Sequence, residues 1–366
     1  MPWDERSVVD RRREFVELAT CQGTNFSCLC SRYGISRRTG YKWVERFSEE
    51  GVEGLKDRSR RPDKSPGKIS SEMEALVLAL RTRHPAWGGR KLRARLQDLG
   101  TEGVPAASTI TEILRRHGQL SKDGPSSQGP WKRFESSHPN ELWQMDFKGY
   151  FPIQGGLCHP LTVLDDHSRF AVGLESCGNE NSKTVQECLI RIFSRYGLPD
   201  RILSDNGSPW GSGTMGQYTK LEIWLMDHGV GVIHGRPKHP QTQGKDERFH
   251  RTLKVEVIQG RDFRSLQECQ EAFDEWRSIY NLERPHESLG MRPPIHRYEP
   301  SRREYQEKES SFEYGIGDLV RKVDASGKVS YKDKGYPVGK AFRGRWVALR
   351  PTLDDGVFNA HYDNQL

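Results

Sequence analysis

The stretch ELWQMDFKGYF, residues 141–151, alternates apolar and polar side chains. Trp143, Met145 and Phe147 fall on one face, and Gln144, Asp146 and Lys148 on the other. A period of two residues predicts a strand that buries one side. Working downstream, HPLTVLDDHSRFAVGLES (159–176) holds two more strand-like runs, joined by a turn at Asp165–Arg169. SKTVQECLIRIFSRYG (182–197) places Val185, Leu189, Ile192 and Phe193 at helical spacing. RILSDNG (201–207) is a short strand ending in a turn, and GVGVIHG (229–235) is another strand. SLQECQEAFDEWRSIYN (265–281) is helical. Three strands followed by helix, strand, helix, strand and helix predict a mixed α/β domain. From residue 312 on, runs such as DLVRKV, KVSYK and RWVALR predict a small β-rich domain, with a last strand cut short at HYDNQL (361–366).

Upstream the pattern is helical. Residues 8–20 form an amphipathic helix, with Val8, Val9, Phe15, Val16, Leu18 and Ala19 set among charges. NFSCLCSRYGISRRTGYKWVERF (25–47) reads as a helix, a turn at Gly34 and a second helix capped by Ser36. That second helix opens on Arg37, Arg38 and Thr39 and continues to Lys42. A recognition helix offers such N-terminal side chains to bases and phosphates; a helical hairpin with a basic face is the structural alternative. GLKDRSRRPDKSPGK (54–68), with Arg58, Arg60 and Arg61, is an extended basic linker or DNA-tracking arm. Residues 70–118 form a second helical unit lined by Lys91, Arg93, Arg95, Arg115 and Arg116, either another DNA-binding module or a spacer. The expected divisions are 1–53, a linker at 54–69, 70–118, a linker at 119–137, 138–300 and 301–366.

Composition narrows the class. The chain has 366 residues, a formal charge of +7 and a mean hydropathy of -0.80. Residues 1–135 hold 26 Lys and Arg against 18 Asp and Glu, so the excess positive charge sits in the first part, as expected of a nucleic-acid partner. The longest apolar run, ALVLAL (75–80), is far short of a membrane span. The charged N-terminus argues against an export signal. Seven cysteines with no CxxC pair read as reduced, mostly buried thiols of a cytoplasmic protein.

Three acids occupy positions where α/β domains build active sites: Asp146 in the first strand, Asp205 at the C-terminal end of a later one, and Glu247 in the first turn of a helix. Three carboxylates without a His–Cys set favour Mg²⁺ or Mn²⁺. Two such ions can activate a nucleophile and stabilise the leaving oxygen of a phosphodiester. Structural alternatives stand beside each: an Asp before Asn-Gly is often a turn residue, and a first-turn acid often only complements the helix dipole. In QGKDERFHRTLK (243–254), Arg251 and Lys254 share the face of Glu247, and Phe249, Leu253 and Val257 form an apolar stripe on another. Asp246 projects toward that stripe near His250, so Glu247 is the better ligand and Asp246 reads as a first-turn acid favoured by the helix dipole or as a partner of His250.

ELWQMDFKG, LDDHSRF, LSDNG, HPQTQGKDERFHRTLK and YNLERPHESLGMRPP, in this order, resemble the integrase-type catalytic core of bacterial insertion-sequence transposases, relatives of retroviral integrases. The resemblance covers residues 138–300, and the helix-turn-helix units and DRSRRP linker are similar to one branch of those enzymes. It implies a ribonuclease-H-like fold, a DDE triad of Asp146, Asp205 and Glu247 holding two Mg²⁺ or Mn²⁺ ions, and a small C-terminal β-barrel. It further implies DNA as partner (terminal inverted repeats and target), at least a dimer where two ends are joined, and a bacterial, nucleoid-associated location. Asp166 matches an acid of that family's strand turn, which is not a ligand. Two departures are visible: Asp246 stands where the family has an apolar residue, and 41 residues separate Asp205 from Glu247, longer than usual. The expected activity is DNA cleavage and strand transfer; the rival is a relative that has lost catalysis and only binds DNA.

Overall fold

The computed structural model describes residues 7–58, 69–120, 135–205, 207, 209–210, 218–235, 244–307, 313–354 and 356–362. It divides into two compact units, Met1–Lys68 and Ile69–Leu366. Arg60 and Arg61, most of the basic linker and most of the WGSGTMG insert lie outside the described residues.

The first unit holds α1 (Val8–Ala19), α2 (Phe26–Arg32) and α3 (Arg37–Glu50). Each helix starts on a side-chain cap: Ser7 Oγ accepts from Asp10 N, Asn25 Oδ1 from Cys28 N and Ser36 Oγ from Thr39 N. Such caps satisfy amides that the first turn leaves unpaired. Gly34, at φ 64°, makes the turn between α2 and α3. Phe15, Val16, Leu29, Cys30, Trp43 and Leu55 form the core. Gly40 faces it: a Cβ there would stand 2.7 Å from Cys30 Sγ and 3.0 Å from the Phe15 and Phe26 rings, so only glycine lets α3 approach this closely.

The second unit begins with α4 (Ser71–Arg83), α5 (Gly89–Asp98) and α6 (Ala107–Arg116), closed around Val77, Trp87, Leu92, Leu96, Ile110 and Ile113. Its central sheet contains β1 (Leu142–Phe147), β2 (Phe151–Ile153), β3 (Gly156–Asp165), β4 (Ala171–Cys177), β5 (Arg201–Ser204) and β6 (Gly231–His234). The first four strands are antiparallel, with β3 between β1 and β4, and β2 pairing the start of β3. β5 and β6 then add in parallel beyond β1. The mixed sheet was expected; β2 and the early start of β3 at Gly156 were not, because a three-residue strand gives no periodic signal.

Alternation along β1 sorts the two layers. Trp143 and Met145 pack with α7 (Ser182–Tyr196) and α8 (Lys220–Asp227) on one side of the sheet. On the other side α9 (Gly244–Leu253), a π-helical turn (Lys254–Ile258) and α10 (Leu266–Leu282) cover Leu164, Ala171 and Leu174. The stripe of Phe249, Leu253 and Val257 is buried there against Phe273, Trp276 and Tyr280. Burying each such side chain stabilises by about 1.5–3 kcal/mol.

The C-terminal strands correct one expectation. β7 (Leu319–Lys322), β10 (Trp346–Pro351) and β11 (Phe358–His361) form an open three-stranded sheet, and β8 (Lys328–Tyr331) pairs β9 (Lys334–Pro337) as a separate ribbon. No closed barrel exists among the described residues. The apolar faces need not close on themselves because α8 covers them: Ile223 and Met226 pack with Val323, Val329, Val347 and Leu349. Asp227 of α8 fastens the contact, accepting from Arg345 Nη2 at 2.6 Å and from the Tyr362 hydroxyl.

Candidate active site

Asp146 lies near the end of β1, paired in register with Thr162 of β3, and its alternation directs it to the α9 side of the sheet. The Thr162 hydroxyl donates to the Asp146 carbonyl at 2.9 Å and lies 2.8 Å from His250 Nε2. A hydroxyl has one proton to give, so the imidazole donates its Nε2–H. His250 therefore partners Thr162, not Asp246. Burial and the Lys148 charge hold His250 down at about 4, so it is neutral.

Asp205 follows β5 immediately. Its Oδ1 accepts from Gly207 N at 3.1 Å, the local turn bond that its sequence context suggested. Its carbonyl accepts from His234 at the end of β6, 2.9 Å away, while the other His234 nitrogen contacts buried Glu222 at 2.7 Å. The Glu222 bond raises the His234 pKa. This buttress was not legible in the sequence, since its parts come from β6 and α8.

β1 and β5 are parallel neighbours, which brings Asp146 and Asp205 together. The carboxyl of Asp146 is pushed up to about 7, by burial first and by the Asp205 charge second. Glu247 stands in the first turn of α9 and is exposed, as are Arg251 and Lys254. Among the described residues no group of three or more His, Cys, Asp or Glu side chains is gathered closely enough to hold a metal. The structure thus unites two of the three expected acids and leaves Glu247 on the outer face of its helix.

The adjacent Asp246 is buried, 2% exposed, and its Oδ1 has no partner. Burial, then the charges of Asp146 and Asp166, push its carboxyl well above the ordinary range. Asp165 and Asp166 differ from one another. Asp165 serves the turn through Ser168 N and also holds Asn140 N ahead of β1, both at 2.7 Å. Asp166 reaches farther, accepting from Ser136 N at 2.7 Å, Gln144 Nε2 at 2.6 Å and Lys245 Nζ.

The expected DNA-contact residues fall in several places. Arg37, Arg38, Thr39 and Lys42 line one open concave surface of α3 together with Tyr41 and Glu45. Arg58 is exposed and paired with Glu50. Arg115 pairs with Glu112, and Arg116 with Glu74 at 3.2 Å. Lys91 is half-buried, and desolvation with the Arg284 charge lowers its pKa to about 8. Arg95 and Arg90 of the same helix pair with Glu283 and Glu287 of the sheet domain, at 2.9 and 3.0 Å. No described helix is long and apolar enough to cross a membrane.

Comparison with known proteins places these parts. Residues 136–240 and 228–294 match integrase core domains. Residues 11–63 match a helix-turn-helix domain, 39–114 a homeodomain-like domain, and 318–365 the C-terminal domain of IS481 family transposases. The chain is 29% identical over 163 residues to an insertion element IS476 uncharacterized 39.2 kDa protein of Xanthomonas euvesicatoria, covering 44% of this chain and 45% of that protein. It is 24% identical over 236 residues to an insertion element IS407 uncharacterized 31.7 kDa protein of Burkholderia multivorans, covering 63% and 82%. It is 27% identical over 164 residues to the transposase for insertion sequence element IS904 of Lactococcus lactis, covering 44% and 62%. The match spans less than two thirds of the Xanthomonas and Lactococcus proteins. With a helix-turn-helix region, an integrase core and the C-terminal domain of IS481 family transposases, the chain is similar in its domains to insertion-sequence transposases.

Proposed function

We propose that this protein is a DNA transposase that cuts and joins the ends of its own element. The helical modules at 1–53 and 70–118 bind the terminal inverted repeats, and the C-terminal strands at 301–366 add DNA contacts. The core, 138–300, hydrolyses a phosphodiester: a water oxygen bonds to phosphorus, the P–O3′ bond breaks, and the 3′-oxygen leaves as a hydroxyl. The oxygen of that 3′-OH then bonds to a phosphorus of target DNA, the target's own P–O3′ bond breaks, and the target's 3′-oxygen leaves as a hydroxyl. Joining two ends requires at least a dimer.

The observation that carries this reading is the placement of Asp146 on β1 and Asp205 just past the end of the parallel neighbour β5, with the Asp146 carboxyl inside the field of Asp205. Two neighbouring carboxylates, one of them half-desolvated, with no soft donor gathered beside them among the described residues, fit a hard divalent cation. The integrase core family generally uses divalent metal ions. Asp146, Asp205 and Glu247 would hold two Mg²⁺ or Mn²⁺, which would supply activation of the attacking oxygen and charge neutralisation at the leaving one. Arg251 and Lys254, on the exposed face that also carries Glu247, bind DNA phosphates and align the strand. Asp246 has no part in the chemistry.

A second reading, a DNA-binding relative without catalysis, draws on the separate position of Glu247 and on the buried Asp246 beside it. The test is Mg²⁺-dependent cleavage of duplexes carrying the DNA that flanks the gene. Wild type cuts these ends, while Asp205→Asn and Glu247→Gln bind them without cutting. Wild-type protein that binds and never cuts leaves only the second reading.

A further inference from the structure

Asp166 is 1% exposed and lies in the turn between β3 and β4. Its neighbours come from three distant parts of the chain. Oδ2 accepts from Ser136 N, where the chain enters the core domain. Oδ1 accepts from Gln144 Nε2 of β1 and from Lys245 Nζ in the first turn of α9. Lys245 also reaches the Asp166 carbonyl, at 3.2 Å, and its own side chain is 17% exposed. Asp166 N donates to Leu142 O, so its backbone is fixed to β1 as well.

Gln144 is two residues before Asp146 and on the same face of β1, since strand side chains alternate. Lys245 is two residues before Glu247. One buried carboxyl therefore joins the strand of the first candidate acid to the helix of the third. The rest of α9 is held by the apolar stripe of Phe249 and Leu253. An apolar stripe fixes which face of a helix turns inward, but it resists sliding along the axis weakly, because dispersion and burial are non-directional. A charge-assisted hydrogen bond in a site this enclosed is directional and strong. It supplies the restraint that the stripe lacks, at the end of the helix where Glu247 sits.

We propose that Asp166 and Lys245 form a positioning latch that sets the first turn of α9, and hence Glu247, against Asp146. Neither residue touches the reacting atoms. The consequence for cleavage rests on the transposase reading above; the ordering of α9 does not. Removing the latch should lower kcat by about 10- to 100-fold, as misplacement of a reacting group does, while KM for end DNA stays unchanged.

The test uses the full chain with Lys245→Met, Lys245→Arg and the double variant Asp166→Asn/Lys245→Met. The double variant guards against misfolding, because it removes the carboxylate that the single change leaves buried without its cation. Amide hydrogen exchange over residues 244–250 is read beside cleavage kinetics and the melting temperature. The expected result is faster exchange in the first turn of α9 and a lower kcat in both Met variants. Near-wild-type melting of the double variant and recovery of both readouts with Lys245→Arg complete it. Unchanged exchange overturns the latch, and so does a kcat that follows melting temperature alone. If wild-type protein never cuts, the transposase reading fails separately and the exchange result alone decides the latch.

Discussion

Asp246→Val should stabilise the protein, and the size of the gain should depend on pH. Asp246 is fully enclosed, its Oδ1 is unpartnered, and it sits at the head of the apolar stripe of Phe249 and Leu253. A buried polar atom left without a hydrogen bond costs about 1–3 kcal/mol. Valine is close in size, so any strain from repacking stays below about 1.5 kcal/mol, and its methyls gain burial. The expected net is about 2 kcal/mol at neutral pH, which at roughly 2–4 °C per kcal/mol raises Tm by about 4–8 °C. The pH dependence has a definite sign. Asp246 in the folded state holds its proton well above the ordinary carboxylate range. Between that ordinary value and the raised folded one, the native state binds more protons than the unfolded chain, so wild-type stability falls as pH rises. Valine lacks this contribution, so its advantage should be small near pH 4 and grow toward pH 8. Thermal unfolding followed by circular dichroism at pH 4.5, 6 and 8 measures it. A variant less stable than wild type at pH 8, or an advantage that does not change with pH, refutes the reasoning. Cleavage of element ends should survive the change.

Two further outcomes follow from burial elsewhere. Gly40→Ala forces a methyl to within 2.7 Å of Cys30 Sγ and should cost about 1–3 kcal/mol, read as lower Tm of the helix-turn-helix unit and weaker end binding by fluorescence anisotropy. His250 titrates near 4 when folded, below its unfolded value, so the unfolded chain binds the extra proton on acidification. Stability should then drop as pH falls from about 6.5 to 4, and His250→Gln, which keeps a donor for Thr162, should flatten that part of the pH profile; an unchanged profile counts against it.

Features encoded by local periodicity were legible before the structure. Trp143 and Met145 share one face because β1 alternates, Phe249 and Leu253 share another because helical spacing aligns them, and Ser36 and Gly34 bracket the turn before α3. Each of those rests on residues within one or two turns of each other. What escaped the sequence rests on partners far along the chain. No barrel was needed once Ile223 and Met226 of α8 covered the C-terminal strands, and nothing in the 319–361 region signals that distant helix. His234 braces Asp205 across 29 residues, and the acids Asp165 and Asp166, alike on paper, differ in reach: Asp165 joins its own turn to Asn140, and Asp166 extends to Lys245 of α9.

The same distinction bears on why Asp246 can occupy an apolar position at all. At the sequence level it conflicts with the stripe that follows it, and a conflict between a local choice and the surrounding pattern is expected to lower stability. The structure supplies neighbours that limit the loss: Lys245 and Arg169 oppose, but do not outweigh, the repulsion from Asp146 and Asp166. Lys245 is also the residue that holds Asp166. A cation engaged by Asp166 has less to offer Asp246, so burial and the neighbouring acids prevail and Asp246 keeps its proton. That is why the Val substitution and the Lys245→Met substitution should move stability in opposite directions, although the two residues are adjacent in the chain: one removes a carboxyl whose Oδ1 has no partner, the other removes the partner of a carboxyl that is satisfied.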